Sequence, residues 1–327
     1  MSYFPNPESH HPLAVPHDVA RPRVLVIVGP TAVGKSALAL TLAQRLDGEI
    51  ISADSRQVYR YMDIGTAKPT LQEQRLVRHH LIDIVNPDQV YTVAMFQSDA
   101  ANAIKDVWRR GKHPLLVGGT GLYVRAVVEG LAIPQVPPDP VRRQALEERA
   151  AREGPATLYA ELQRVDPEAA SRIDPRNVRR VIRALEVFHL TGKPISALQR
   201  VQPPPYQFLI LGLTTDRQTL YARIDRRVEQ QIRDGLVEET RRLVEMGYGY
   251  HLPSMSGLGY RQIGMYLRGE VTLERAIEIL KTATHRFARQ QYTWFRLNDP
   301  RIHWLTLGQR LNEAALEMAR AFWLCEH

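Results

Sequence analysis

One cysteine, Cys325, stands in a chain of 327 residues, which excludes an internal disulfide and a cysteine-built zinc site. No apolar run approaches the length that spans a bilayer, so no membrane partner is expected. The amino terminus lacks the apolar core of a secretory signal. Residues 1–21 are polar and rich in proline (Pro5, Pro7, Pro12, Pro16) and histidine (His10, His11, His17), which predicts a disordered tail and a cytoplasmic protein. Internal repeats are absent. Acidic groups are in deficit, 35 against 43 Lys and Arg, and the net charge of +8 suits a polyanionic partner. A hydrophobic share of 44% places the chain among globular proteins, and its length suits an α/β domain of about 200–250 residues with an addition.

The most informative motif is Gly29-Pro-Thr-Ala-Val-Gly-Lys-Ser36, a full match to G-x-x-x-x-G-K-[ST]. It follows the apolar run 24–28 and precedes a helical pattern over 36–46, the order in which this motif cradles phosphates. Gly29 and Gly34 permit the tight turn. The loop amides, those of Thr31, Ala32 and Val33 among them, and the helix N-terminus favour an anion. Lys35 can neutralise a terminal phosphate, and Ser36 can ligate Mg²⁺. A diphosphate or triphosphate is therefore the expected ligand.

Further apolar runs at 49–53, 79–85, 114–118 and 208–213, with a helical pattern over 93–109, predict a parallel sheet with ligands at the carboxyl ends of its strands. A last short strand is expected at 301–305 and a helix near 311–322. Asp54 follows the second strand, where a carboxylate can ligate Mg²⁺, act as a general base or simply cap a turn. The run at 114–117 ends in Gly118-Gly-Thr-Gly121, without the Asp that a motor or switch NTPase carries there. That leaves small-molecule kinases and other users of diphosphates. Thr120 in this loop can hydrogen-bond a substrate or belong to an ordinary glycine turn.

Residues 128–202 are different in character. They are helical in pattern, rich in Arg, Glu and Ala, and bounded by prolines, which predicts a helical subdomain inserted into a core of 22–127 and 203–327. Asp174 suits an N-cap there and Pro175 the first helical position. Val178, Val181, Ile182 and Leu185 then form a buried stripe, with Arg176, Arg179, Arg180 and Arg183 nearly opposite. Like charges at this spacing repel, and a solvated face usually mixes signs, so RNA phosphates explain the stripe better. After the late strand a helix begins at Asp216. Arg217 and Arg223 can clamp the far side of a diphosphate, while Arg226 and Arg227 are expected on a solvated face.

With these pieces in place, the chain resembles the bacterial tRNA dimethylallyltransferases (tRNA isopentenyltransferases) from about residue 22 to 305. The glycine loop carries part of the resemblance. The block Asp54-Ser-Arg-Gln-Val-Tyr-Arg-Tyr-Met-Asp-Ile-Gly-Thr-Ala-Lys-Pro69 carries more, because no general need for phosphate binding explains it. His80-Leu-Ile-Asp83, Leu116-Val-Gly-Gly-Thr-Gly-Leu-Tyr123, Arg183-Ala-Leu-Glu-Val-Phe188, Gly259-Tyr-Arg-Gln262 and Thr293-Trp-Phe-Arg296 complete it. The resemblance implies an α/β fold: a P-loop core with a parallel sheet, pierced by a channel, and an inserted helical tRNA-binding subdomain. It implies transfer of a dimethylallyl group from dimethylallyl diphosphate to N6 of adenosine 37, in the anticodon stem-loop of tRNA, by a monomer using Mg²⁺.

The resemblance also distributes roles. Asp54 becomes the general base, with Thr31 near the reacting centre. Gly29, Thr31, Ala32, Val33, Gly34, Lys35, Ser36, Arg217 and Arg223 would hold the diphosphate. Asp54, Ser55, Arg56, Gln57, Thr120, Arg179, Arg180, Arg183 and one of Arg142 and Arg143, taken as Arg143, would contact tRNA. The alternative is a P-loop small-molecule kinase that uses the motif for ATP. Two departures stand out: His285 and Gln290 occupy positions that are often basic in the family, so that helix offers fewer cations to phosphate. The cysteine/histidine zinc extension of eukaryotic relatives is absent.

Overall fold

The computed structural model describes residues 21–134, 136–199 and 201–324; the tail expected over 1–21 lies outside them apart from Arg21, as does Cys325. Six strands form one parallel sheet: β1 (Arg23–Val28), β2 (Gly48–Ser52), β3 (His79–His80), β4 (His113–Val117), β5 (Gln207–Thr214) and β6 (Ile302–Thr306). Their order is β3-β2-β4-β1-β5-β6. A parallel sheet covered on both faces needs strands that are apolar throughout, and β1 is such a strand. Leu25 and Ile27 face one layer with Leu38 and Leu42; Val24, Val26 and Val28 face the other with Phe96 and Ile104.

The helices of the core's first half are α1 (Lys35–Arg45), α2 (Leu71–Leu76), α3 (Val93–Arg109) and α4 (Gly121–Val128). The apolar run at 79–85 yields only the two residues of β3, because Leu81 and Asp83 take positive φ (62° and 55°) and turn the chain out of the sheet. Asp83 then meets Lys68 Nζ at 2.6 Å, and that ammonium also holds Asp63 at 2.5 Å. The local ion pairs override the strand pattern.

The inserted stretch contains α5 (Pro140–Glu153), α6 (Pro155–Val165), α7 (Pro167–Arg172), α8 (Val178–Thr191) and α9 (Ile195–Leu198). These share their own apolar cluster, with Leu158, Leu162, Val181, Ile182 and Leu185 buried in it. The two ends of the stretch meet where Gln202 N donates to Gly130 O at 2.9 Å. Asp174 does not cap α8. It closes a turn by accepting the Arg176 amide (2.9 Å), and Asn177 caps the helix by accepting from Arg180 N.

The core resumes with α10 (Arg217–Arg233), α11 (Leu236–Glu245), α12 (Tyr260–Leu267), α13 (Leu273–Trp294) and α14 (Leu311–Leu324). Among the described residues no helix is long and apolar enough to cross a membrane.

Candidate functional site

Three chain segments leave the carboxyl edge of the sheet side by side, and each carries a feature singled out in the sequence. After β1 comes the glycine loop. Gly29 has φ +137° and Gly34 φ +108°, conformations that side chains resist. A Cβ on Gly29 would also stand 2.5 Å from the Leu213 carbonyl oxygen of β5. Lys35 opens α1 and donates through Nζ to the Gly29 and Pro30 carbonyls at 3.0 and 2.8 Å. Burial, seconded by the Arg227 guanidinium, lowers its pKa from 10.5 to about 7, against a weaker opposing pull from Asp54. The Ser36 hydroxyl makes no hydrogen bond among the described residues and lines the same cavity.

After β2 comes Asp54. Its Oδ1 accepts the Arg56 amide at 2.8 Å, so the residue does cap a turn, but it also lines the cavity. The Ser55 amide donates to Thr120 Oγ1 at 3.0 Å, which ties this segment to the loop after β4. Arg56 is anchored outward on the Pro253 carbonyl (2.7 Å). Gln57 accepts from Ser52 Oγ at 2.9 Å and donates to the Ala67 carbonyl at 3.2 Å. After β4 comes Gly118-Gly119-Thr120, and Thr120 stands at the N-cap of α4, a helix that the glycine pattern hides.

All three segments border one cavity of about 460 Å³. Thr31, Ala32, Lys35 and Ser36 line it from the glycine loop, Asp54 to Gln57 from the second segment and Thr120 from the third. Gly29, Val33 and Gly34 belong to the loop but do not line the cavity.

Several residues that the sequence reading missed complete the cavity. Gln291 of α13 is buried; its Oε1 accepts the Thr31 amide (2.8 Å) and its Nε2 donates to the Gly119 carbonyl (3.0 Å). The Thr31 amide is therefore turned to Gln291 and not to an anion. Arg227 does not lie on a solvated face. It lines the cavity and donates to Thr31 Oγ1 at 3.3 Å. The available signal was helical spacing: Arg227 is four residues after Arg223 and shares its face. Arg223, which the sequence does name, donates through Nε to the Ala32 carbonyl at 2.8 Å and does not itself line the cavity. Glu239 of α11 is buried and accepts the Asp63, Ile64 and Gly65 amides together with the Tyr260 hydroxyl (2.6 Å), which fixes the loop supporting Gln57.

Other expected residues lie elsewhere. Arg217 is exposed over the Tyr221 ring, 5.1 Å from its centre, and does not line the cavity. His285 stacks on Tyr221 with ring centres 4.0 Å apart and has Nε2 at 2.8 Å from Asp225 Oδ1, an ion-pair distance without hydrogen-bond alignment. Gln290 does line the cavity. Of the insert's arginines expected to contact tRNA, Arg143 sits on α5 and Arg179, Arg180 and Arg183 on α8. Arg179 and Arg180 are exposed, with no side-chain partner among the described residues. The stripe is not unmixed as expected: Arg176 pairs with Asp174 at 2.8 Å, and Arg183 and Arg143 both pair with Glu186.

Residues 57–298 match the model of the IPP transferase family. The chain is 55% identical over 307 residues to the tRNA dimethylallyltransferase of Herpetosiphon aurantiacus, covering 94% of this chain and 96% of the relative. Among solved structures it is similar to the full-length tRNA isopentenylpyrophosphate transferase of Bacillus halodurans, with 42% identity, TM-score 0.68, and 92% and 96% of the two chains covered. It is also similar to a eukaryotic dimethylallyltransferase acting on tRNA, with 29% identity, TM-score 0.77, and 92% and 79% covered.

Proposed function

The chain belongs to the IPP transferase family, and from that premise we propose that it transfers the dimethylallyl group of dimethylallyl diphosphate to N6 of adenosine 37 in tRNA. One observation carries the reading: the glycine-loop lysine, Lys35, and a carboxylate, Asp54, line a single cavity together with Thr120.

The chemistry follows from these groups. The adenine N6 lone pair is delocalised into the ring, so the amine is a weak nucleophile. Asp54 takes the N6 proton as the N6–C1 bond forms, and the C1–O bond breaks with its electron pair leaving on the diphosphate. Lys35, Arg223 and Arg227 offset the negative charge that develops on the leaving group. Thr31 is held by Arg227 and Gln291 and would stand beside the reacting atoms.

The residues present suit Mg²⁺ on a diphosphate. The unpartnered Ser36 hydroxyl can take one coordination position, and no cluster of three His, Cys, Asp or Glu occurs among the described residues, so substrate oxygens and water would fill the rest. When bound, the ion would supply further neutralisation of the leaving diphosphate.

The helical insert, 128–202, is the part we assign to gripping the anticodon stem-loop, with Arg143, Arg179, Arg180 and Arg183 toward the phosphates; 22–127 and 203–327 form the transferase core. Ser55, Arg56, Gln57 and Thr120 would meet the extruded nucleotide, which leaves its stack most easily in a loop. The setting is the cytoplasm and the working form a monomer. The relatives favour this transfer and not the kinase alternative. Incubation with dimethylallyl diphosphate, Mg²⁺ and tRNA, followed by mass spectrometry of the nucleosides, should show N6-dimethylallyladenosine without ATP. A turnover that stops when ATP is withheld would overturn the assignment.

A further inference from the structure

Glu186, on α8 in the middle of the insert, has 0% of its surface exposed. Donors surround it. Arg143 of α5 reaches both oxygens, Nε to Oε1 at 2.8 Å and NH2 to Oε2 at 3.0 Å. Arg183, one turn earlier on α8, donates through NH1 to Oε2 at 2.5 Å. The Asp139 amide, at the cap of α5, donates to Oε1 at 2.8 Å. Burial by itself would raise this carboxyl, yet the hydrogen bonds from Arg143 and Arg183 hold it below its ordinary range, so it is ionised at neutral pH.

A buried ionised carboxylate is a poor way to fill space, since well-packed apolar residues do as well or better. Its placement makes sense through its partners. Two guanidiniums brought to one spot repel each other. A carboxylate between them removes the repulsion and leaves one net positive charge. The same contacts fix both planes: Arg143 is held bidentately, and Arg183 donates its second nitrogen to the Val136 carbonyl at 2.9 Å. The arginines are not sealed in. Their side chains keep 39% and 29% of their exposure, and Arg143 NH1 and Arg183 Nε have no partner among the described residues.

Resting on the reading of the insert as the tRNA grip, we propose that Glu186 is a positioning residue that holds Arg143 and Arg183 side by side as one preorganised clamp for an RNA phosphate. Glu186→Gln keeps the size and removes the charge. It should weaken tRNA binding roughly tenfold. It should also lower the slope of log affinity against log salt by about 0.7–0.9, the share of one phosphate contact. The loss should appear in KM for tRNA and not in kcat. Added to Arg143→Ala/Arg183→Ala, it should do nothing more.

If Glu186 merely neutralises the arginines, Glu186→Gln would bind tRNA as tightly or more tightly, with a steeper salt slope, and the inference is overturned. If the double arginine variant alone leaves affinity and slope unchanged, Arg143 and Arg183 meet no phosphate and this inference is overturned; the insert's role as the grip fails only if Arg179→Ala/Arg180→Ala also leaves both unchanged. Should Glu186→Gln unfold the insert, the single arginine variants decide. A clamp predicts that either one loses nearly all that the double loses; effects that simply add would mean two independent arginines.

Discussion

Asp54 serves two ends with its two oxygens. Oδ1 accepts the Arg56 amide and builds the turn, while Oδ2 has no partner among the described residues. The two roles can be separated. Asn at position 54 can still cap the turn but cannot take a proton at neutral pH. Both Asp54→Asn and Asp54→Ala should lower kcat by ~10²–10⁴-fold, the usual share of a general base. Affinity for tRNA and for the prenyl donor should stay near wild type in the Asn variant. Retention of more than about a tenth of the rate would be incompatible with the assignment.

Lys35 makes a second prediction at the same scale. Burial and Arg227 bring its pKa to about 7, so at pH 8 it is mostly neutral in the free protein. A diphosphate beside it favours the charged form and raises the pKa again. Binding at pH 8 should therefore take up close to one proton. Donor affinity should be full below about pH 7 and decline above it by up to tenfold per pH unit until the pKa of the complex is reached. Calorimetry of dimethylallyl diphosphate binding in buffers of different ionisation enthalpy measures the uptake. Lys35→Arg, charged throughout, should abolish it. An uptake near zero in the wild type at pH 8 would mean that Lys35 is already charged in the free protein.

At the scale of elements, legibility tracks how completely burial dictates the sequence. β1, β4 and β5 read directly because both faces are covered and nearly every residue is apolar. The amphipathic pattern of α3 places its bounds, Val93–Arg109, without error. The run at 79–85 misleads because its fate turns on the Lys68–Asp83 pair, which is local in space but 15 residues apart in sequence. α4 is hidden because Gly118 to Gly121 have the composition of a turn; the glycines are there because Ala53, Gln291 and Trp294 lie where the Cβ atoms of 118, 119 and 121 would go. At the site, Lys35, Ser36, Asp54 and Thr120 were legible from motif and position. Gln291, Glu239 and Glu186 were not, since each works through backbone amides or side chains brought from distant segments.

For the whole molecule, the separation of apolar clusters is the informative feature. The insert packs around its own cluster, distinct from the two layers that flank the sheet. Its ends are joined before the chain re-enters the core, by the Gln202–Gly130 hydrogen bond and the antiparallel Leu131–Val201 bridge. None of the glycine loop, Asp54 or Thr120 draws a side-chain hydrogen bond from residues 131–201 among the described residues. The donor site should therefore survive without the insert. Replacing 131–201 by a short glycine turn should leave a folded core that binds dimethylallyl diphosphate within a few-fold of wild type. The same variant should lose tRNA affinity by at least tenfold at moderate salt, and the remaining binding should depend far less on salt, because the phosphate contacts leave with the helices. Calorimetry with the donor and filter binding with tRNA measure the two halves. Loss of donor binding in a variant that still unfolds cooperatively would show that the insert builds the cavity as well as the grip.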